Sequence, residues 1–169
     1  MAQGDDSKQA IAHIIRQEQA LIFTGFDENA AFALGSRIRD IAVKEKLAIA
    51  IDISLWDRRL FFAASEGSKA DNGEWLRRKF NVVRRFQAPT YRLVLEQKRE
   101  DRMFAPYRGL DANDYALAGG GFPIRVTGIG VVGAVGVSGL AERDDHNLVV
   151  RAIAEHLGQD AVALALPAV

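Results

Sequence analysis

No cysteine occurs among the 169 residues, which excludes disulfides, thiol catalysis and thiolate metal sites. Histidine appears three times, and no HExxH or other dense ligand run accompanies it. Net charge is missing as well. Lys plus Arg and Asp plus Glu both total 22, so no global field draws the chain to nucleic acid or to an anionic membrane. No apolar run approaches the roughly 18 residues of a membrane span. The opening MAQGDDSKQA does not place an apolar segment after a basic one, as a signal peptide would. The expectation is a cytoplasmic protein with neither nucleic acid nor membrane as partner.

What the chain has in plenty is glycine, and it is unevenly spread. The stretch Gly119 to Leu140, GGGFPIRVTGIGVVGAVGVSGL, holds eight of the fifteen glycines. It reads as two extended segments joined by a tight turn at Gly128. In the second segment Val131, Gly133, Val135 and Val137 share one face, and Val132, Ala134, Gly136 and Ser138 share the other. Glycine in a strand packs nothing, so these positions imply that another backbone, a helix or a ligand comes close.

Taken in order, the remainder fits one domain over residues 1–169, long enough to bury roughly 70% of its unfolded surface. Ser7 is placed to cap a first helix, with Ile11, Ile14, Ile15 and Leu21 on its apolar side. Asp27 opens a second helix, whose stripe runs through Ala31, Leu34, Ile38, Ile41 and Ala42. Leu47 to Ser54 alternates as a strand. Leu47, Ile49, Ile51 and Ile53 oppose the smaller Ala48, Ala50, Asp52 and Ser54, and Arg59 to Ala64 returns as its hairpin partner. Asp71 and Glu74 resemble a capping box for a helix carrying Trp75, Leu76, Phe80, Val82, Val83 and Phe86 on one side. Its other side gathers Arg77, Arg78, Arg84 and Arg85 around Asn81, with Lys79 at the border. Pro89 ends it, and Thr90 caps a further helix to about Lys98. Residues 99–118 form a long connection suited to folding over a site or against a partner. Glu142, Asp144 and Asp145 open a last helix that Gly158 stops. The tail AVALALPAV suits an edge strand or a dock on a sister chain.

Several motifs carry chemistry elsewhere. Gly128, Gly130 and Gly133 match the dinucleotide spacing G-x-G-x-x-G, but valines follow where a helix should begin. Gly136-Val137-Ser138-Gly139-Leu140 is one residue from a nucleophile elbow, but the chain shows little room for the parallel sheet and the triad ordered Ser, acid, His that an elbow needs; Ser138 instead ends the strand and helps start the helix. Glu142 and His146, four apart on one helix face, form a weak candidate metal pair, while His13 and His156 read as surface or interface residues. The arginine face either stays solvated or grips carboxylate or phosphate, since guanidinium does so in bidentate fashion.

A family resemblance enters on particular segments. Glu74-Trp75-Leu76-Arg77-Arg78-Lys79, Ala88-Pro89-Thr90-Tyr91, GGGFPIRV, GVVGAVGVSGL and Asp145-His146 resemble an uncharacterised family related to the GlcG/HbpS group of haem-degrading or haem-binding domains. The resemblance implies an α+β, profilin-like domain, with an antiparallel sheet of about five strands, helices on its faces and assembly as a homo-oligomer. It implies haem or a related planar anionic tetrapyrrole as ligand, and carries site positions onto Lys79, Thr90, Gly120, Pro123 and Ser138. A flat ring suits a small-residue sheet face, and its propionates suit Arg77, Arg78 or Arg84. No histidine falls beside the glycine hairpin to serve as axial ligand. The leading expectation is therefore an oligomeric small-ligand binding protein with no catalytic residues assigned. An interaction module without chemistry is the alternative, and haem degradation follows from the resemblance alone.

Overall fold

The computed structural model describes residues 2–167, with side chains from Asp6 onward. The chain runs through α1 (Ala2–Ala20), α2 (Glu28–Glu45), β1 (Ala50–Leu55), β2 (Arg59–Ala64), α3 (Ala70–Phe86), α4 (Thr90–Gln97), β3 (Gly121–Val126), β4 (Gly130–Ser138), α5 (Glu142–Leu157) and α6 (Ala161–Leu164), with a 3-10 turn at Pro106–Arg108. The strands form one antiparallel sheet in the order β2-β1-β4-β3. Both expected hairpins are present, and the valines of β4 are extended.

The alternation in β1 and β4 sorts the two sheet faces by side-chain volume. Ile49, Ile51, Ile53, Val135 and Val137 point to the layer of α2 and α5, where they pack with Leu34, Ile38, Val149 and Ile153 in the main core. Ala50 and Ala134 point the other way, against Leu76, Phe80 and Val83 of α3. Gly136 lies on that side too. A Cβ there would stand 2.6 Å from the Phe80 ring and 2.9 Å from Leu76. The small-residue face is therefore covered by a helix of the same chain, not by a flat ligand or a sister subunit. That helix lies close because the sheet under it is nearly bare of side chains.

Four strands form the sheet where about five were expected. The segment that nearly supplies the fifth is residues 21–23, which reaches the free edge of β3 through a single parallel bridge from Phe23 to Val126. Ser7 lies inside α1, because that helix begins well before it. Residues 161–167 of the tail form no edge strand, and residues 168 and 169 lie outside the described residues. Asp160 caps the short α6 by accepting from the amides of Val162 and Ala163, and Leu166 is buried with Ala10, Ile14 and Tyr91. The start of α3 is held by Asn72, whose side chain accepts from Lys69 N at 2.7 Å, in place of the expected Asp71 and Glu74. Among the described residues no helix is long and apolar enough to cross a membrane.

Two glycines with opposite surroundings test this packing. A Cβ on Gly133 would lie 2.1 Å from the Ser54 carbonyl oxygen and 2.9 Å from Leu55 Cα, which is backbone and cannot rotate away. Gly133→Ala is expected to lower unfolding free energy by about 2–3 kcal/mol. Gly73, in α3, has nothing within 4 Å of the added atom, so Gly73→Ala should raise it by about 0.5–1 kcal/mol. Urea unfolding reads both, and equal shifts of one sign would contradict the packing.

Candidate functional site

The site forms where α3 crosses the end of β4 and meets the first turn of α5. Lys79 lies on the buried side of α3, only 2% exposed, and not at the border of the arginine face. Its Nζ donates to the Val137 carbonyl at 3.1 Å and to Asp145 Oδ2 at 3.2 Å. Asp145 Oδ1 accepts from Leu140 N at 3.0 Å, so the carboxylate joins the β4–α5 turn to the helix lying over the sheet. Burial pushes the Asp145 carboxyl up to about 6 despite the pull of Lys79, and lowers the Lys79 ammonium from its usual value.

Gly120 sits against this pair with φ of +117°, and a Cβ there would approach Val137 O to 2.6 Å and Lys79 Nζ to 2.8 Å. Only a glycine leaves the ammonium room. Thr90 is the first residue of α4, but its hydroxyl does not cap that helix; it accepts from Gly121 N at 3.0 Å and fixes the entry to β3. Ser138 does not cap α5 either. The start of that helix is organised by Asp145 reaching back to Leu140 N.

Beside the ion pair opens a cavity of about 330 Å³, whose wall includes Trp75, Lys79, Arg102, Ser138, Glu142 and Asp145. Ser138 is 4% exposed and lines the cavity. Trp75 donates from Nε1 to Asp71 Oδ2 at 2.9 Å, and the Arg78 guanidinium stacks 4.2 Å from its ring centroid. The 98–120 connection folds over this region. Phe104 stacks on Phe86 at 5.3 Å, Leu117 is buried, and Arg102 pairs with Glu142 across the cavity wall.

Of the positions singled out from sequence, Lys79 and Ser138 line the cavity, Gly120 packs on Lys79, and Arg78 reaches it through Trp75. The arginines do not converge. Arg77 binds Glu74, Asp114 Oδ1 at 2.9 Å and Asn113 O at 2.6 Å, while Arg84 lies 5.9 Å from the Trp56 ring. Pro123 sits opposite Ala134 in the edge strand β3, where a missing N–H is tolerated. Sequence reasoning missed Arg102 and assigned Trp75 wholly to the core.

Glu142 and His146 do not form a metal pair. Glu142 turns to Arg102 and Gly119 N, whereas His146, 1% exposed, points between α5 and α1. Its Nε2 donates to Gln17 Oε1 at 2.8 Å, and Gln17 Nε2 donates to Leu164 O at 2.6 Å. The rings of Tyr91 and Phe122 lie 5.4 and 6.0 Å away, and Nδ1 is buried without a partner. Burial pushes the imidazole down to about 3, so it is neutral at physiological pH. No group of three His, Cys, Asp or Glu positioned for a metal ion occurs among the described residues.

This sandwich of helices around an antiparallel sheet is a known α+β class. It superposes on the crystal structure of Ybr137w protein with a TM-score of 0.82, 24% identity and 94% of each chain covered. It also superposes on PduOC, solved as a haem complex, with a TM-score of 0.65, 14% identity, and coverage of 77% of this chain and 94% of that one. Both likenesses are of fold. The chain belongs to the HbpS-like family, described as haem degrading protein HbpS-like, whose model matches residues 26–154. A UPF0303 protein of Brucella melitensis biotype 2 (strain ATCC 23457) is similar to it at 80% identity over 168 residues, covering 99% of both chains.

The family description brings haem into question, and the lining residues answer in part. The cavity wall contains no histidine, methionine or tyrosine to ligate iron, and Lys79 is committed to Val137 and Asp145. The residues therefore do not fit a haem held through its iron within one chain. They do offer an indole, a guanidinium and a serine.

His146 and Asp145 give opposite pH signatures. The folded value of His146 lies below its unfolded value, so its stabilisation holds above about 6.5 and is lost as pH falls towards 3. Asp145 is raised, so it opposes that loss as pH falls through about 6. Comparing urea unfolding at pH 7 and pH 5, His146→Gln should shift the difference by about 2 kcal/mol in favour of pH 5 relative to the parent. An unchanged difference would mean His146 is not buried neutral.

Proposed function

We propose that the protein binds a small planar anionic ligand, haem or a related tetrapyrrole, in the cavity between α3, α5 and the 98–120 connection, and does so without turning it over. The observation that carries this reading is the cavity wall itself, where Trp75, Lys79, Arg102 and Ser138 line one opening beside the buried Lys79–Asp145 pair. A concave site with a few polar groups set against an aromatic side chain is the ordinary form of a small-ligand site. The family match and the haem-bound fold neighbour support the choice of ligand class.

The cavity is at the small end for a ligand pocket, about 300–1,000 Å³, so a tetrapyrrole would enter edge-on, with the rest of its ring lying outward over Trp75. Ring stacking and carboxylate contacts then supply the affinity, and iron is dispensable. Self-association belongs to the same reading. β2 stands at the sheet edge with no strand on its outer side among the described residues, an edge open to a second copy. The small-residue faces, first expected to serve that purpose, are covered by α3 of the same chain, and of the tail Leu166 packs on α1 while Val162 stays exposed.

Titrations with haem and with metal-free protoporphyrin IX, followed by absorbance and tryptophan emission, test the proposal. Both should saturate with similar affinity, and Trp75→Leu should weaken both by about tenfold. No saturable binding of either, or binding of haem alone, would refute it.

A further inference from the structure

The Arg102–Glu142 pair has the geometry of a binding contact and the setting of a weak one. Both terminal guanidinium nitrogens face both carboxylate oxygens, Nη1 on Oε1 at 3.0 Å and Nη2 on Oε2, the fork that suits carboxylate recognition. Yet the two side chains are 49% and 27% exposed, where such a pair contributes about 0–1 kcal/mol. Arg102 also has φ of +58°, the left-handed region that non-glycine residues rarely take. A local turn holds it there, in which Asp101 accepts from Met103 N at 3.1 Å and from Arg99 Nε at 3.0 Å. Backbone strain is thus spent to aim one guanidinium at the cavity wall.

Glu142 Oε1 accepts a second bond, from Gly119 N at 3.1 Å. Its carboxylate therefore occupies a two-sided slot, with a guanidinium fork on one side and a backbone N–H on the other. Both sides line the cavity, as does the Ser138 hydroxyl.

We infer that this slot is the carboxylate-recognition site of the cavity, that Arg102 reads the ligand's carboxylate, and that Glu142 fills the slot as an internal stand-in until the ligand displaces it. The inference deepens the proposed function and rests on the cavity being a ligand site; the ligand class becomes a planar ring bearing a carboxylate. Exchange of one carboxylate for another conserves the bidentate contact and the Gly119 bond, and the released Glu142 side chain rehydrates at the surface. The net gain comes from the ring against Trp75 and Leu117. A neutral amide or ester does not displace Glu142, because it brings no charge to replace the one it removes.

The probe is benzoate, with benzamide as its neutral counterpart. The Nε–Hε NMR resonance of Arg102, assigned by its loss in Arg102→Gln, is followed during titration of the parent protein and of Glu142→Gln. Benzoate should move it saturably in both, at about tenfold lower concentration in Glu142→Gln because the competing carboxylate is gone. Benzamide should leave it in place. Both variants should melt within about 2 °C of the parent, since the pair contributes little to stability. No benzoate response in Glu142→Gln, an equal response to benzamide, or equal half-saturation in the two proteins would each overturn the assignment. A pair that merely pins the connection would give lower melting in both variants and no benzoate response. Porphyrin binding without a benzoate response refutes the Arg102 assignment and leaves the wider proposal standing. A benzoate response without porphyrin binding does the reverse.

Discussion

A lysine enclosed between a helix and a sheet and paired there with a carboxylate is the constraint around which this domain is arranged. Lys79 leaves α3, passes Gly121 and Gly120, and ends on the carbonyl of Val137 and the carboxylate of Asp145. One ammonium thereby joins the helix over the bare sheet face, the last residues of the central strand and the first turn of α5. Removing two charges from water is costly, and the cost is offset here by direct pairing plus backbone donors to the carboxylate. The geometry has little slack. Gly120 cannot carry a side chain without striking Lys79 Nζ.

The two faces of the sheet divide the work. The Ile and Val face builds a conventional core with α2 and α5. The Gly and Ala face lets α3 lie close, and the close approach brings Lys79 and Trp75 to the mouth of the β4–α5 turn. The cavity is thus a by-product of a helix packed tightly on a sheet and then running past its end. The 98–120 connection supplies the remaining wall, which makes it part of the site as well as a link.

Much of this was legible in the chain. The alternation of Ile49, Ile51 and Ile53 gave both the strand and its buried face, and Gly136 announced a close neighbour. What occupied the clearance was not legible, because Leu76 and Phe80 lie some sixty residues earlier and nothing local ties them to that strand. Lys79 looked like part of a cationic surface because four arginines surround it in sequence; its burial depends on Asp145, reached only through the fold. Arg102 sat unnoticed in a charged stretch, since its interest lies in a left-handed backbone and a partner forty positions on. Asp145-His146 carried a family signal, yet the two side chains face opposite ways, one to the site and one to the α1 packing.

A double-mutant cycle on Lys79 and Asp145 tests the central claim most directly. Unfolding free energies are measured for Lys79→Met, Asp145→Asn and the pair together. Each single change should cost about 3–5 kcal/mol, with the double variant less destabilised than their sum by about 2 kcal/mol or more. Strictly additive losses would show that the ammonium and the carboxylate do not act on one another, and the lysine would no longer be the tie that shapes the site.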